Sequence, residues 1–211
     1  SFWREGRQMK IDVWSDVICP WCWLGRARLA KAVAASPRSP EIEIVFRSFE
    51  LDPGSPKDLD IPTNEMLEKK FNMDKAQIDA MHRRISAMGR EEGIDYQFDK
   101  ARTSNTFDAH RLVHLAAEQG RRTEMVDRLF EANFHDGIRV GDRKNLIALA
   151  DELGVSGAAE ALESQRFADA VRADEAEAKQ RGVSGVPFFL LDGKRAVAGA
   201  QSVDVLVRAL T

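Results

Sequence analysis

Strand patterns occur only near the two ends of this 211-residue chain, and a long stretch separates them. Residues 9–15 and 41–49 alternate apolar and polar side chains, and residues 186–191 and 195–197 are again strand-like. Residues 63–182 show no strand pattern. We therefore predict an α/β fold whose one sheet is built from both ends of the chain, with a large all-helical insertion between its second and third strands.

The connections between the strands refine this prediction. A helix should begin at Pro20 and end before residues 36–40, which are rich in serine and proline. Parallel pairing of the two flanking strands would then make a right-handed βαβ unit. The last two strands should form a hairpin closed by a helix over 203–210, so the order is βαβ, insertion, ββα.

The same patterns divide the chain into units. Residues 9–62 and 182–211 should form the sheet-containing domain, and residues 63–181 the insertion. Residues 1–8 precede Met9 and are predicted to be a tag or an extension. Apolar residues at helical spacing predict these helices within the insertion: 63–72, 74–92, 104–119, 121–135, 142–153 and 158–181.

Charge and hydropathy argue against two classes of partner. The 31 basic and 34 acidic residues are interspersed, which predicts no extended cationic surface for nucleic acid. No apolar run approaches the roughly 20 residues that span a bilayer, and no signal-peptide pattern is recognisable. The sequence therefore predicts a cytoplasmic protein that binds neither nucleic acid nor membranes.

The two cysteines, Cys19 and Cys22, are the strongest chemical signal. A bridge between them closes too short a loop to stabilise a chain of this length, so a chemical role is favoured. Cys19 would lie at the N-terminal edge of the first helix, where free N–H groups and the helix dipole favour a thiolate. Pro20 suits the first helical turn. We predict Cys19 as the nucleophile and Cys22 as the resolving thiol.

A zinc site is the main alternative for a C-x-x-C motif. Structural zinc requires four ligands, and the chain has no further cysteine. Its four histidines all lie in the insertion, and only His110 and His114 have a ligand-like spacing. We predict no metal site, with this histidine pair as the one residual candidate.

The sequence Cys19-Pro20-Trp21-Cys22, taken with the element Gly-Val-Ser-Gly-Val-Pro-Phe-Phe at 182–189, resembles the thioredoxin superfamily, and specifically its DsbA-like branch. Residues 12–22 and 104–111 are similar to the cytoplasmic FrnE-like subgroup. The resemblance covers residues 9–211. It implies a thioredoxin fold and a redox-active disulfide in place of a bound cofactor.

The resemblance also implies roles for particular residues. The Val186–Pro187 bond would be cis and lie beside the nucleophilic sulfur, leaving the Val186 backbone free to bind a substrate strand. Asn105 and His110 would face the active-site cleft, although each is also typical of an ordinary helix cap or helix surface. Trp21 replaces the histidine of periplasmic DsbA, so we expect a weaker oxidant.

Other side chains near the motif receive simpler interpretations. The indole of Trp21 would offer apolar contact area to a substrate. Trp14, Trp23, Phe188 and Phe189 are predicted to pack the core. For Asp16 we favour an exposed loop carboxylate over a proton relay beside the cysteines.

Three functions are compatible with these features. The favoured one is thiol–disulfide exchange with protein or peptide substrates, with glutathione as one candidate electron donor. The second is a glutathione-dependent reaction like that of 2-hydroxychromene-2-carboxylate isomerases and kappa-class transferases, against which Cys22 argues. The third is a redox-silent accessory protein of a biosynthetic pathway. The sequence leaves open the natural substrate, the direction of electron flow and whether the chain forms a homodimer through its insertion.

Overall fold

The computed structural model of the protein describes residues 8–211, so the predicted N-terminal extension lies, apart from Gln8, outside the described residues. Four strands form the main sheet in the order β2-β1-β5-β6. The sheet contains β1 (Met9–Ser15), β2 (Ile42–Ser48), β5 (Phe188–Leu191) and β6 (Arg195–Ala198). Both ends of the chain therefore contribute to one sheet, as predicted.

Strand β1 is the centre of this sheet. It pairs in parallel with β2, with Ile11 opposite Ile44, and antiparallel with β5, with Val13 opposite Phe189. Six of its seven residues are buried, as expected for a strand covered on both faces. The predicted βαβ unit and the C-terminal hairpin are thus confirmed, and β1 ends just before the cysteine motif.

Nine helices are described between residues 8 and 211, and seven of them belong to the segment predicted as a helical insertion. In chain order they are α1 (Pro20–Ala35), α2 (Thr63–Phe71), α3 (Lys75–Glu91), α4 (Phe107–Glu118), α5 (Arg122–Glu131), α6 (Arg143–Glu152), α7 (Ala158–Glu163), α8 (Ala168–Gln180) and α9 (Val203–Ala209). A π-helical turn, Ala132–Asp136, follows α5. Within the described chain, each helix is too short or too polar to cross a membrane.

The insertion is not entirely helical. A short strand, β4 (Arg102–Ser104), pairs antiparallel with β3 (Asp60–Pro62), and neither strand was predicted. Three residues are too few to show an alternating pattern, and each strand depends on a partner far away in the chain. Helix α4 consequently begins at Phe107, whose N–H donates to the Asn105 side chain over 3.0 Å.

The single helix predicted over 158–181 is also wrong, because α7 and α8 are separate and Phe167 between them has a φ of 66°. The buried side chain of Arg111 lies where α7 ends. Its guanidinium donates to the carbonyls of Ala161, Leu162, Ser164 and Arg166 at 2.5 to 3.3 Å. A distant cation thus satisfies carbonyls that a continuing helix would have used.

One apolar core continues from the sheet into the insertion. It includes Ile11 and Phe189 from the sheet, Leu29 from α1, and Leu112 and Phe130 from α4 and α5. The predicted core residues Trp14 and Phe189 are fully buried. Because the two parts share this core, helices of the insertion are held in fixed positions relative to the cysteine motif.

Candidate active site

Cys19 lies where β1 has ended and α1 begins. Its backbone is extended, with φ −94° and ψ 115°, and Pro20 occupies the first helical position. The Cys19 N–H donates to the Asp16 carbonyl at 3.1 Å, and the Cys22 N–H donates to the Cys19 carbonyl at 3.1 Å. This turn places the Cys19 sulfur at the free N–H groups of a 16-residue helix, where a negative charge is stabilised.

The two thiols differ in accessibility. Cys19 is 6% exposed and Cys22 is 1% exposed. Burial, together with the hydrogen bond and charge of Cys19, raises the pKa of the Cys22 thiol well above its ordinary value. Cys22 therefore stays protonated at neutral pH, and Cys19 is the more accessible of the two thiols.

The loop before β5 approaches the cysteine from the other end of the chain. The Val186–Pro187 peptide bond is cis. The Val186 carbonyl oxygen lies 3.9 Å from the Cys19 sulfur, within reach of a weak S–H hydrogen bond. Residues far apart in the sequence, Val186 and Cys19, thus meet at one site.

Gly25, on α1, makes this approach sterically feasible. A Cβ atom at Gly25 would lie 2.9 Å from Cγ of Pro187 and 3.3 Å from the Phe189 ring. Both distances are shorter than ordinary van der Waals contact, so a side chain here would push the Pro187 loop away from the helix. Sequence reasoning did not identify Gly25, because an isolated glycine in a helical pattern looks only like a weakness of the helix.

We predict that Gly25→Ala lowers the free energy of unfolding by about 1–3 kcal/mol, because the new methyl group overpacks the contact with Pro187. Helix propensity alone would predict the opposite sign, a gain of about 0.8–1.0 kcal/mol. Urea unfolding measures the difference. Gly54→Ala is the control, because its new Cβ would have only one neighbour, at 4.0 Å. A stabilised Gly25→Ala protein would contradict the prediction.

Asp16 is fully buried, so its interpretation as an exposed loop carboxylate is wrong. One carboxylate oxygen lies 3.1 Å from Nε2 of His110, and the other accepts the Leu51 N–H at 2.9 Å. The sequence could not show this, because His110 comes from the insertion and closes over the loop only in the folded chain. Asp16 fixes the loop that carries Cys19 by binding partners on two other segments.

His110 is 4% exposed and has a raised pKa. Burial by itself lowers the pKa of this ring, but the hydrogen bond and charge of Asp16, together with the charges of Glu50 and Glu175, outweigh that effect. When it is protonated, His110 balances the charge of the buried Asp16 carboxylate, three residues before Cys19.

Glu50 is a third buried polar residue in this region, beside Asp16 and His110. It is 5% exposed, and its Oε2 accepts from the Arg172 guanidinium at 2.7 Å. Burial and the neighbouring Glu175 raise the pKa of Glu50 to about 7, while His110 and Arg172 act in the opposite direction. Glu50 thus changes its charge near neutral pH, close to the His110 ring. Sequence reasoning missed it, because nothing local distinguishes it from other glutamates.

Aromatic side chains surround the start of α1. The Tyr96 hydroxyl donates to the Pro20 carbonyl at 2.5 Å, and burial raises the pKa of this phenol. Trp23 is half-buried and packs edge-on against Tyr96 at 5.2 Å. Trp21 is partly exposed, and the Arg84 guanidinium lies 5.9 Å from its ring. The Trp21 indole is therefore only partly accessible to solvent and lies beside a cation.

Asn105 and His110, the two insertion residues that the resemblance places at the cleft, contact different parts of the structure. His110 meets the cysteine loop through Asp16, whereas Asn105 binds the loop after β2: its Nδ2 donates to the Ser55 carbonyl at 2.9 Å. His114, the other half of the residual metal candidate, lies 3.1 Å from the Asp174 carboxylate. Among the described residues, no group of three or more potential metal ligands is present.

The sheet order and the pair of cysteines define the class of protein. It is a thioredoxin-fold protein with a helical insertion between β2 and β5 of its main sheet. The chain belongs to the DSBA-like thioredoxin domain family, whose model matches residues 10–211.

Several known proteins are similar to this chain. The structure superimposes with a TM-score of 0.93 on a probable DsbA oxidoreductase from Streptomyces coelicolor, at 42% identity, covering 97% of this chain and 89% of the other. The uncharacterized protein YwbO of Bacillus subtilis is 28% identical over 95% of both chains. The cytosolic disulfide reductase DsbM of Pseudomonas aeruginosa superimposes with a TM-score of 0.66 at 20% identity. The superposition covers 95% of this chain and 96% of DsbM. DsbM has also been solved with GSH.

Proposed function

We propose that this protein is a thiol–disulfide oxidoreductase that acts on protein or peptide substrates. Cys19 is the nucleophile and Cys22 the resolving thiol. The observation that carries the proposal is the asymmetric placement of the pair: Cys19 caps α1 beside the Val186 carbonyl, and Cys22 is buried one turn inside the helix. Val186 and Pro187 would bind the substrate backbone next to the reacting sulfur.

The reaction follows from this placement. The Cys19 thiolate attacks one sulfur of a substrate disulfide, and the other sulfur leaves as a thiolate. The Cys22 thiol then loses its proton and attacks the Cys19 sulfur, which releases the second substrate sulfur. The substrate disulfide has gained two electrons, and Cys19 and Cys22 have formed a disulfide. The reverse sequence oxidises a substrate dithiol.

Several observations favour the reducing or isomerising direction. Trp21 stands where an imidazolium would stabilise the thiolate of a strongly oxidising protein, so the couple should be a weaker oxidant. A chain with two reactive cysteines and no further cysteine suits a reducing compartment, and we place the activity in the cytoplasm. The solved DsbM complex supports glutathione as a candidate electron donor.

Equilibration in glutathione buffers of graded potential tests the proposal. Alkylation with a mass tag then reports the oxidised fraction of Cys19 and Cys22. We expect one reversible two-electron transition, with a midpoint within about −220 to −320 mV, the range of cytosolic poise. A midpoint of about −120 mV would indicate an oxidase instead. A dominant glutathione adduct on Cys19 without an internal disulfide would favour the glutathione-dependent isomerase or transferase.

A further inference from the structure

A polar hollow of about 440 Å³ lies between one face of α3 and the loop at residues 96–99. We call it the α3 hollow. Its α3 side carries Asp79, Arg83, Ser86 and Arg90, which recur every three or four residues and therefore share one helix face. Its volume falls within about 300–1,000 Å³, the usual range for ligand clefts, and the exchange reaction proposed above does not use it.

A stack of three aromatic rings forms one wall of the α3 hollow. His82 lies flat against Phe98, with the ring centroids 3.9 Å apart, and Phe98 stacks on Tyr96 at 5.0 Å. All three residues line the hollow. The Tyr96 hydroxyl also donates to the Pro20 carbonyl at 2.5 Å. The stack therefore gives the hollow a fixed wall and connects this wall with the cysteine motif.

Two arginines of the α3 hollow have no anionic partner. Arg83 and Arg90 are exposed, and within the described part of the chain neither forms an ion pair. Asp79 precedes Arg83 by four residues but does not pair with it. The same spacing does pair Glu177 with Arg181 on α8, at 3.0 Å. Both guanidinium groups of the hollow are therefore available to an anionic group of a ligand.

Two carboxylates of the α3 hollow likewise lack a cation. Asp79 and Asp99 form no ion pair with a lysine or arginine that the structure describes. Burial lowers the pKa of His82 below its ordinary value, and the charges of Asp79 and Asp99 oppose that shift only in part. His82 is therefore neutral at neutral pH. The two carboxylates thus share one end of the hollow, around a ring that does not balance their charge.

The opposite charges of the α3 hollow are separated along the helix. At about 1.5 Å per residue, Arg83 lies about 6 Å and Arg90 about 16 Å beyond Asp79 along the axis of α3. A free amino acid carries its ammonium and carboxylate groups on one carbon atom, whereas an extended tripeptide separates its two ends by about 10 Å. A short peptide can therefore reach the aspartates with one end and an arginine with the other.

We propose that the α3 hollow binds a short peptide with free ends, with its ammonium group between the two aspartates and its carboxylate against the two arginines. The Ser86 hydroxyl, between these charges on α3, can bond a peptide group of the ligand. An internal segment of a longer polypeptide has no terminal charges and is less complementary. This site lies outside the proposed exchange reaction, and its ligand needs no thiol.

Titration of the isotope-labelled protein with triglycine, followed by NMR, tests this. Triglycine has both terminal charges and no sulfur, and its N-acetylated and C-amidated forms each lack one of the two charges. Shifts of the amide signals of α3 and of residues 96–99 give a dissociation constant for each peptide. We expect the wild-type protein to bind free triglycine about fivefold more tightly than either blocked form, the upper end of what one exposed ion pair contributes.

Variants that remove charge assign each end of the peptide. The double variant Arg83→Gln/Arg90→Gln should bind free and amidated triglycine equally and should still discriminate against the acetylated form. The double variant Asp79→Asn/Asp99→Asn should show the reverse. These side chains lie outside the core, so both variants should fold, which thermal unfolding verifies. Arg181→Gln, on α8, is the matched control and should keep both preferences.

The outcomes separate this site from the exchange function. Absence of triglycine binding, equal affinities for the three peptides in the wild-type protein, or preferences that persist in the charge-removing variants would each overturn the peptide site. Because triglycine has no sulfur, it takes no part in thiol–disulfide exchange. Failure of the peptide site would therefore leave the proposed function standing, and the measurement in glutathione buffers tests that function separately.

Discussion

The Cys22→Ser protein should accumulate a covalent mixed disulfide between Cys19 and its substrate, and multiple turnover should fall to the uncatalysed rate. The chain contains two cysteines, so no other thiol can take over the resolving step. Cys22 is 1% exposed and one turn from Cys19, which places it to attack the Cys19 sulfur from inside the protein. Intact-mass measurement after acid quenching would detect the adduct, which should approach one per molecule.

The Cys19→Ser protein is the matched control. It should form no adduct, because the remaining thiol is buried, and burial is the largest cause of its raised pKa. Sustained turnover by Cys22→Ser with glutathione, without a trapped substrate, would contradict the two-cysteine mechanism. It would support instead the glutathione-dependent alternative, in which only one thiol is needed.

Replacing His110 by alanine should destabilise the protein by about 3–5 kcal/mol at pH 6, because it leaves the Asp16 carboxylate buried without its cationic partner. His110 and Asp16 are 5% and 0% exposed in their side chains. His135→Ala is the matched control: this ring also pairs with an aspartate, Asp95, but both side chains are exposed, so about 0–1 kcal/mol is expected. Urea unfolding measures both.

The pH dependence of this effect has a definite sign. The pKa of His110 is raised in the folded protein, so the folded state holds the ring proton more tightly than the unfolded chain does. The stabilisation is complete below the unfolded value of about 6.5 and is lost as pH rises through the folded value. The cost of His110→Ala should thus be smaller at pH 9 than at pH 6. A cost that grows with pH would contradict the ion pair.

Local patterns predicted most of the elements near the site. The alternation in β1 and β2, the proline after Cys19 and the residues before β5 all depend on neighbours in the sequence, and these elements fold where expected. The errors occurred where a distant residue decides the conformation. Arg111 ends α7 by binding its carbonyls, and β3 and β4 exist only as a pair.

The candidate active site also has a part that the sequence predicted and a part that depends on distant residues. The sequence by itself determined the position of the cysteine pair at a helix start, because the spacing of Cys19 and Cys22 and the flanking strand and helix are local properties. It could not determine that Asp16 is buried against His110 or that Gly25 admits Pro187. Those contacts join segments that are far apart in the chain. The charge states and the energies of the residues involved depend on burial, and burial is a property of the packed tertiary structure alone.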